Sequence, residues 1–163
     1  VYPGIVVPAG TYEHKEAQIV TNTNQGAPVS LSWMNTIGGY FGGRRWSTTP
    51  TLRMRVGETF TSEVAYQRND VDLPRGRFVT NLIRTRVNYS FTTRAFVQAL
   101  VQYNDRADLW SANVRIGWLQ AANTGLFIVY NDTRYLYDLF PNRPERTDRS
   151  LVIKFSRMFD LLQ

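Results

Sequence analysis

The stretch that decides the fold is RVNYSFTTRAFVQALVQYND, Arg86–Asp105. On each side of the TTR break, every second residue is apolar or aromatic, as in Val87-x-Tyr89 and Val97-x-Ala99. A period of two places alternate side chains on opposite faces of a strand. The stretch therefore predicts a hairpin with one apolar face and one mostly polar face. Whether the apolar face meets a protein core or lipid separates a soluble β-protein from a membrane β-barrel.

The composition limits the classes of protein to which the chain can belong. Its 163 residues suffice for one domain, and its lack of cysteine excludes a disulfide scaffold and a cysteine metal site. The net charge is +6, but the arginines recur at every second residue, as in Arg53/Arg55 and Arg84/Arg86, and do not form runs. That spacing argues against nucleic acid as a partner. No apolar run approaches the ~18 residues of a membrane-spanning helix.

The whole chain follows the alternating pattern, and helical periodicity is almost absent. Turn signals divide it into about nine strand-like segments, which predicts an all-β fold. The predicted strands are Glu13–Thr23, Val29–Gly39, Trp46–Val56, Phe60–Asn69, Phe78–Phe91, Arg94–Asn104, Ser111–Ala121, Gly125–Thr133 and Ser150–Leu161.

The connections between these segments alternate in length from the second one onward. Long connections such as GGYFGGRR (Gly38–Arg45) and DVDLPRGR (Asp70–Arg77) alternate with short ones such as GET and TTR. Bacterial outer-membrane barrels have short periplasmic turns and longer extracellular loops. The alternation favours an antiparallel, up-and-down transmembrane β-barrel, with a soluble all-β ligand-binding protein as an alternative.

The apolar face carries aromatic residues near both predicted strand ends. Trp110 and Trp118 stand eight residues apart, which is ~20 Å along the membrane normal for a strand tilted by ~40°. The aromatic residues expected at the two membrane interfaces are Trp46, Phe60, Tyr89, Trp110 and Trp118.

The opposite face is polar and net basic, as expected for residues that line the interior of a barrel. Glu63 lies on the strand between those that carry the two arginine pairs, so cross-strand ion pairs are expected. The residues expected to set the electrostatics of the lumen are Arg53, Arg55, Glu63, Arg84, Arg86, Arg115 and Lys154.

Two predicted surface loops are candidate contact sites, and catalytic chemistry is not indicated. The loops at Gly38–Arg45 and Arg134–Asp148 present aromatic and basic side chains suited to lipopolysaccharide, glycan or partner contacts: Tyr40, Phe41, Arg44, Arg45, Tyr135, Tyr137 and Phe140. The one histidine, His14, lacks a nucleophile and an orienting partner. No metal site, cofactor or enzymatic activity is predicted.

Several motifs after Ala65 resemble an uncharacterised bacterial family. They are RNDVDLP (Arg68–Pro74), LVQYN (Leu100–Asn104), VYN (Val129–Asn131) and DRSLVIKF (Asp148–Phe155). In that family, an N-terminal carbohydrate-binding-like module of family 9 precedes an outer-membrane β-barrel domain of unknown function. The resemblance implies a bacterial outer-membrane location and a link to carbohydrate through that module.

Residues 1–163 are therefore expected to form a single β-barrel segment, the C-terminal part of a longer barrel. Bacterial barrels have an even number of strands, so about nine strands require more, from the same protein or from another chain. The expected function is a pore, transport element or membrane scaffold with a basic polar lumen. A structural subunit of a larger outer-membrane complex is the alternative. The expected partners are the lipid bilayer and lipopolysaccharide.

Overall fold

The computed structural model describes residues 5–121, 124–135 and 148–157. These residues form nine strands and no helix. The strands are β1 (Glu16–Asn22), β2 (Val29–Tyr40), β3 (Gly43–Val56), β4 (Phe60–Leu73), β5 (Gly76–Ser90), β6 (Ala95–Asn104), β7 (Leu109–Ala121), β8 (Thr124–Tyr135) and β9 (Asp148–Ser156).

All nine strands belong to one sheet in sequence order, and each pairs antiparallel with the next. This confirms the predicted all-β, up-and-down architecture. The hairpin at Arg86–Asp105 is present as predicted, with Val87 in register with Ala99 and Tyr89 in register with Val97. Its turn is closed by the Thr92 hydroxyl, which accepts hydrogen bonds from the backbone N–H groups of Arg94 and Ala95 at 3.1 and 3.0 Å. The sheet is open, because β1 and β9 have one neighbour each.

Two of the predicted long loops are wrong. The strands β2 and β3 run through Gly38–Arg45 and leave only Phe41 and Gly42 as a turn. Both turn residues have positive φ, 46° and 78°, as two-residue hairpin turns with the right-handed twist of a sheet require. In Asp70–Arg77, likewise, only Pro74 and Arg75 lie outside strands.

The predicted alternation of loop lengths is therefore wrong at these two connections. The residues that the sequence suggests as loops extend the hairpins instead, because their backbones continue the ladder. A charged pair supports one extension: Arg77 donates two hydrogen bonds to Asp70, at 2.9 and 2.7 Å. The last connection, residues 136–147, lies outside the described residues, as do Tyr137 and Phe140.

The described sheet has no second layer packed against it. The buried apolar side chains of the described residues are Ala65, Val71 and Leu73. Val71 and Leu73 lie at the end of the β4–β5 hairpin, close to the segment of chain that precedes β1. Val6, Val7 and Tyr12 of that segment line a small cavity together with Leu73 and Pro74. A sandwich would need a second sheet over the apolar face, and the described part of the chain supplies none.

Candidate functional site

The sheet has two chemically distinct faces, fixed by the pairing register. In an antiparallel sheet, residues in register lie on the same face, and their neighbours along the chain lie on the other. The apolar face is defined here by the row Val56–Phe60–Tyr89–Val97–Ile116–Ile128–Ile153. The polar face is defined by the row Arg53–Glu63–Arg86–Leu100–Asn113–Asn131–Ser150.

The apolar face exposes large hydrophobic side chains on every strand from β2 to β9 except β6. Examples are Ile37 at 55%, Val56 at 62%, Trp118 at 65% and Phe155 at 68% of full exposure. Monomeric soluble proteins rarely expose contiguous apolar patches of more than a few hundred Å². Such a face needs an apolar environment from outside the described residues.

Polar groups within the apolar face are paired with one another. The indole N–H of Trp33 donates a hydrogen bond to the hydroxyl of Thr48 at 2.8 Å, and Thr48 is buried. The Tyr66 hydroxyl donates to the side-chain oxygen of Asn81 at 2.6 Å. Pairing of this kind removes most of the cost of keeping these groups away from water.

One edge of the apolar face is a line of charged residues, which we call the polar boundary. On five strands the first charged residue beyond the apolar stripe is Arg44 on β3, Arg68 on β4, Arg77 on β5, Asp132 on β8 and Arg149 on β9. Arg44 and Arg77 share one register row, and Asp132 and Arg149 share another. The second row contains Leu52 on β3, eight residues from Arg44, so the line that joins the two ends of the boundary crosses the register rows.

The inclination of the polar boundary follows from strand geometry. Eight residues correspond to about 26 Å along a strand, and six strand spacings to about 29 Å across the sheet. The line that joins Arg44 to Arg149 therefore makes an angle of about 42° with the register rows. Arg68 and Arg77 fall on opposite sides of this line, each by about 9 Å along its strand.

The turns at the opposite end of the sheet give the same inclination. The first residue of β2, Val29, is in the row of Val114 on β7, whereas β7 ends seven residues further on, at Ala121. The offset of seven residues is about 23 Å along the strands, and five strand spacings are about 24 Å across the sheet. This edge is therefore inclined by about 44° to the register rows. The apolar face is thus a band with two nearly parallel edges, both oblique to the strands.

The width of this band can be read from β3. Its apolar-face stripe runs from Val56 to Trp46, ten residues and about 33 Å along the strand. Projected on the normal to a boundary inclined by 42°, this length becomes about 25 Å, the height of the apolar band of outer-membrane barrels.

All five residues expected at membrane interfaces lie on the apolar face: Trp46, Phe60, Tyr89, Trp110 and Trp118. Phe60 and Tyr89 are in register and their ring centroids are 6.5 Å apart. The sequence does not reveal a further aromatic set, Trp33, Tyr66 and Tyr103, in the register row of Trp110. Their alignment depends on pairing across six strands, which alternation along one strand does not specify.

The polar face brings together all seven residues expected to set the electrostatics: Arg53, Arg55, Glu63, Arg84, Arg86, Arg115 and Lys154. The predicted cross-strand ion pairs are confirmed, since Arg53 and Arg84 lie 2.8 and 3.8 Å from the Glu63 carboxylate. Arg86 is in register with Glu63. One carboxylate thus faces three arginines, whereas Arg55 donates hydrogen bonds to the backbone carbonyls of Gln25 and Gly26 at 3.4 and 3.3 Å.

Arg115 on β7 has a different environment. Its guanidinium carbon lies 4.8 Å from the ring centroid of Phe127 and 5.9 Å from that of Phe96. The Phe96 ring covers Gly117, where an added Cβ would collide with it. Glycine at this position therefore makes room for the ring that holds Arg115. The sequence alone does not reveal this cluster, because its members lie on three different strands, β6, β7 and β8.

The residues predicted as loop contacts mostly lie in strands. Tyr40 ends β2, Arg44 and Arg45 lie near the start of β3, and Tyr135 ends β8. Among those that the structure describes, Phe41 alone lies in a turn. Arg45 lies on the polar face, where it forms an ion pair with Glu16 at 2.5 Å and stacks over Tyr40 at 4.8 Å. Arg44, on the apolar-face side, belongs to the polar boundary.

The described residues contain no helix that is long and apolar enough to cross a membrane. Nor do His, Asp and Glu side chains within residues 5–121, 124–135 and 148–157 gather in threes suitable for a metal ion. No protein-family model, curated protein or solved structure matches the chain. The resemblance to the outer-membrane family with a carbohydrate-binding-like module therefore stays a prediction.

Proposed function

We propose that this chain forms a wall segment of a bacterial outer-membrane β-barrel, with its apolar face against acyl chains and its polar face toward the lumen. The observation that carries the proposal is the inclined polar boundary. In a transmembrane barrel, strands tilt by about 35–45° from the membrane normal. The membrane surface then crosses the unrolled sheet at that same angle to the register rows. An inclination of about 42°, with a band about 25 Å high, is what this geometry requires.

A soluble sandwich gives no reason for this inclination. There the apolar area follows the outline of the opposing sheet, and two packed sheets are aligned within about 30° of each other. The exposed aromatic side chains near both edges of the band fit membrane interfaces, where an apolar ring meets polar headgroups. The residues of the polar boundary lie at headgroup level on the side of the Phe41–Gly42 and Pro74–Arg75 turns.

Completion of the barrel requires strands beyond β1–β9. Nine alternating strands leave β1 and β9 running in the same direction, so closure by antiparallel pairing needs an odd number of further strands. The same protein or another chain supplies them in this proposal. Unpaired sheet edges do not occur in the hydrocarbon region, because each free backbone group costs several kcal/mol there.

The proposed activity is non-enzymatic: passage of polar or anionic solutes through a net-basic lumen, or support of a membrane scaffold. The Arg53–Glu63–Arg84 group supports the first role, since charged inner walls select ions. The open edges favour the second, as a structural subunit of a larger complex. Carbohydrate is a candidate solute from the family resemblance alone.

Reconstitution of the complete protein into vesicles tests the proposal. We expect a fraction that resists extraction by alkaline carbonate and, in planar bilayers, anion-preferring conductance that Arg84→Glu with Arg86→Glu reduces. A stably inserted, non-conducting protein would select the scaffold role. Protein that stays soluble and monomeric without detergent would refute the membrane assignment.

A further inference from the structure

We propose that Arg86, Arg115 and Lys154 form a belt of positive charge at one depth of the inner wall, which binds multivalent oxyanions. The inference rests on the proposed function, since depth is measured along the membrane normal that the polar boundary defines. The three cations lie on the polar face of β5, β7 and β9, every second strand.

The offsets between the three residues match the inclination of the polar boundary. The residue of β7 in register with Arg86 is Asn113, and that of β9 is Ser150. Arg115 and Lys154 therefore lie two and four residues beyond the row of Arg86. The two shifts are about 7 and 13 Å along the strands, over distances of about 10 and 19 Å across the sheet. The line from Arg86 to either residue is therefore inclined by about 35° to the register rows.

A line inclined by about 35° is nearly parallel to a boundary inclined by about 42°, so the three residues differ in depth by only about 3 Å. Their depth lies near the middle of the apolar band. Arg84, two residues from Arg86 on the same face, stands about 5 Å nearer the polar boundary. The cations thus follow the circumference of the wall at mid-depth, although they look scattered along the sequence.

Neutralisation of these charges within the described residues is incomplete. Glu63, the carboxylate nearest to Arg86, is hydrogen-bonded to Arg53 at 2.8 Å and also lies 3.8 Å from Arg84. Arg84 keeps a buried side-chain nitrogen, Nε, without a hydrogen-bond partner. Arg86 and Lys154 are exposed, and among the described residues neither has a hydrogen-bond or ion-pair partner. The side chains of Arg84, Arg86 and Lys154 therefore have hydrogen-bond donors available for an anion.

The spacing of the belt selects the class of ligand. Adjacent members are about 12 Å apart along the wall, a gap that long arginine and lysine side chains can span in part. A monovalent anion meets one cation at a time, whereas an oligophosphate or tricarboxylate meets two together. Arginine also binds carboxylate and phosphate oxygens through two parallel hydrogen bonds. Multivalent oxyanions are therefore the ligands that this wall fits.

Calorimetric titration of the complete, detergent-folded protein with sodium tripolyphosphate at low ionic strength tests this inference. We expect Arg86→Gln/Arg115→Gln/Lys154→Gln to weaken binding by about tenfold or more, since a charge-assisted hydrogen bond contributes about 1.5–3 kcal/mol. The matched control is Lys15→Gln/Arg75→Gln/Arg94→Gln, which removes three exposed cations that lie outside the strands and should leave binding within about twofold. Lys154→Gln alone, with no described partner to lose, should weaken binding in the same direction.

If both triple variants weaken binding equally, net charge explains the effect and the belt does not. Unchanged binding in the belt variant would likewise refute the proposal. The membrane assignment fails separately. Protein that does not insert into vesicles refutes the proposed function whatever the titration gives, whereas inserted protein with belt-independent binding refutes this inference alone.

Discussion

The two faces of β9 allow a matched test of which side contacts lipid. Ile153 and Val152 are adjacent β-branched residues with 64% and 52% of their surfaces exposed, the first on the apolar face and the second on the polar face. Both lie within the apolar band, between Leu151 and Phe155. Replacement of either by arginine removes a similar aliphatic side chain and adds the same charge.

The expected cost differs sharply between the two positions. An arginine on the lipid face of a barrel destabilises it by about 2–4 kcal/mol near the midplane and less toward the interfaces, whereas inner positions are hydrated. We expect Ile153→Arg to lower the free energy of unfolding by about 2 kcal/mol or more, at least about 30-fold in the equilibrium constant. Val152→Arg should cost less than about 1 kcal/mol, mainly through repulsion from Lys154.

The assay is reversible guanidinium unfolding of the complete protein in phosphatidylcholine vesicles, followed by the fluorescence of its four tryptophans. Circular dichroism before unfolding establishes that both variants have folded. Equal losses of stability would show that both faces have the same environment. That result, or a larger loss for Val152→Arg, would refute the assignment of the apolar face to lipid.

Three further predictions concern individual contacts. Gly117→Ala should destabilise the protein by about 1–3 kcal/mol, because its Cβ collides with the Phe96 ring; Phe96→Leu in the same chain should restore most of the loss in the unfolding assay, and no rescue would contradict the steric cause. The Arg53–Glu63 coupling in a double-mutant cycle should be about 0.2–1 kcal/mol and decrease with salt, since Arg53 is half exposed; a salt-independent value would contradict it. The hydrogen bonds from Arg77 lower the pKa of Asp70. The pair should therefore stabilise the β4–β5 hairpin above the ordinary aspartate pKa of about 3.9, and this stabilisation should be lost as the pH falls through the lower pKa of the folded state. Arg77→Gln should raise the pKa of Asp70 in an NMR titration, and an unchanged pKa would refute the pairing.

The strand content and the sidedness of the sheet could be predicted from the sequence because both depend on local alternation. The period of two in Arg86–Asp105 fixes which side chains share a face, and the same argument placed Arg53, Glu63 and Arg115 together. The positions of turns were harder to predict. Gly38–Arg45 has the composition of a loop, yet the Phe41–Gly42 turn needs only two residues with positive φ, and the backbone on each side continues to pair.

The features that depend on register could not be predicted. The inclined polar boundary, the row of Trp33, Tyr66 and Tyr103, and the Phe96–Gly117–Phe127 cluster each involve several strands. A shift of one residue between any two strands would reverse every later face. Register is set by turn geometry together with side-chain packing between strands. Both depend on residues from more than one strand, so the pattern along a single segment does not specify them.

If the band is inclined to the strands, residues of one register row lie at different depths in the membrane, and label depth within one row measures this most directly. Met54, Val87 and Leu151 share a row on the apolar face, and the chain has no cysteine to interfere with labelling. Spin labels on single cysteines at these positions would be measured in vesicles of the complete protein by oxygen and nickel-chelate accessibility. A 42° inclination predicts that the label at Val87 is deep in the bilayer and lies about 13 Å from the depth of the label at Leu151, which sits near the interface. Equal depths along the row would refute the inclination, and full access of the nickel chelate to all three labels would refute contact of this face with lipid.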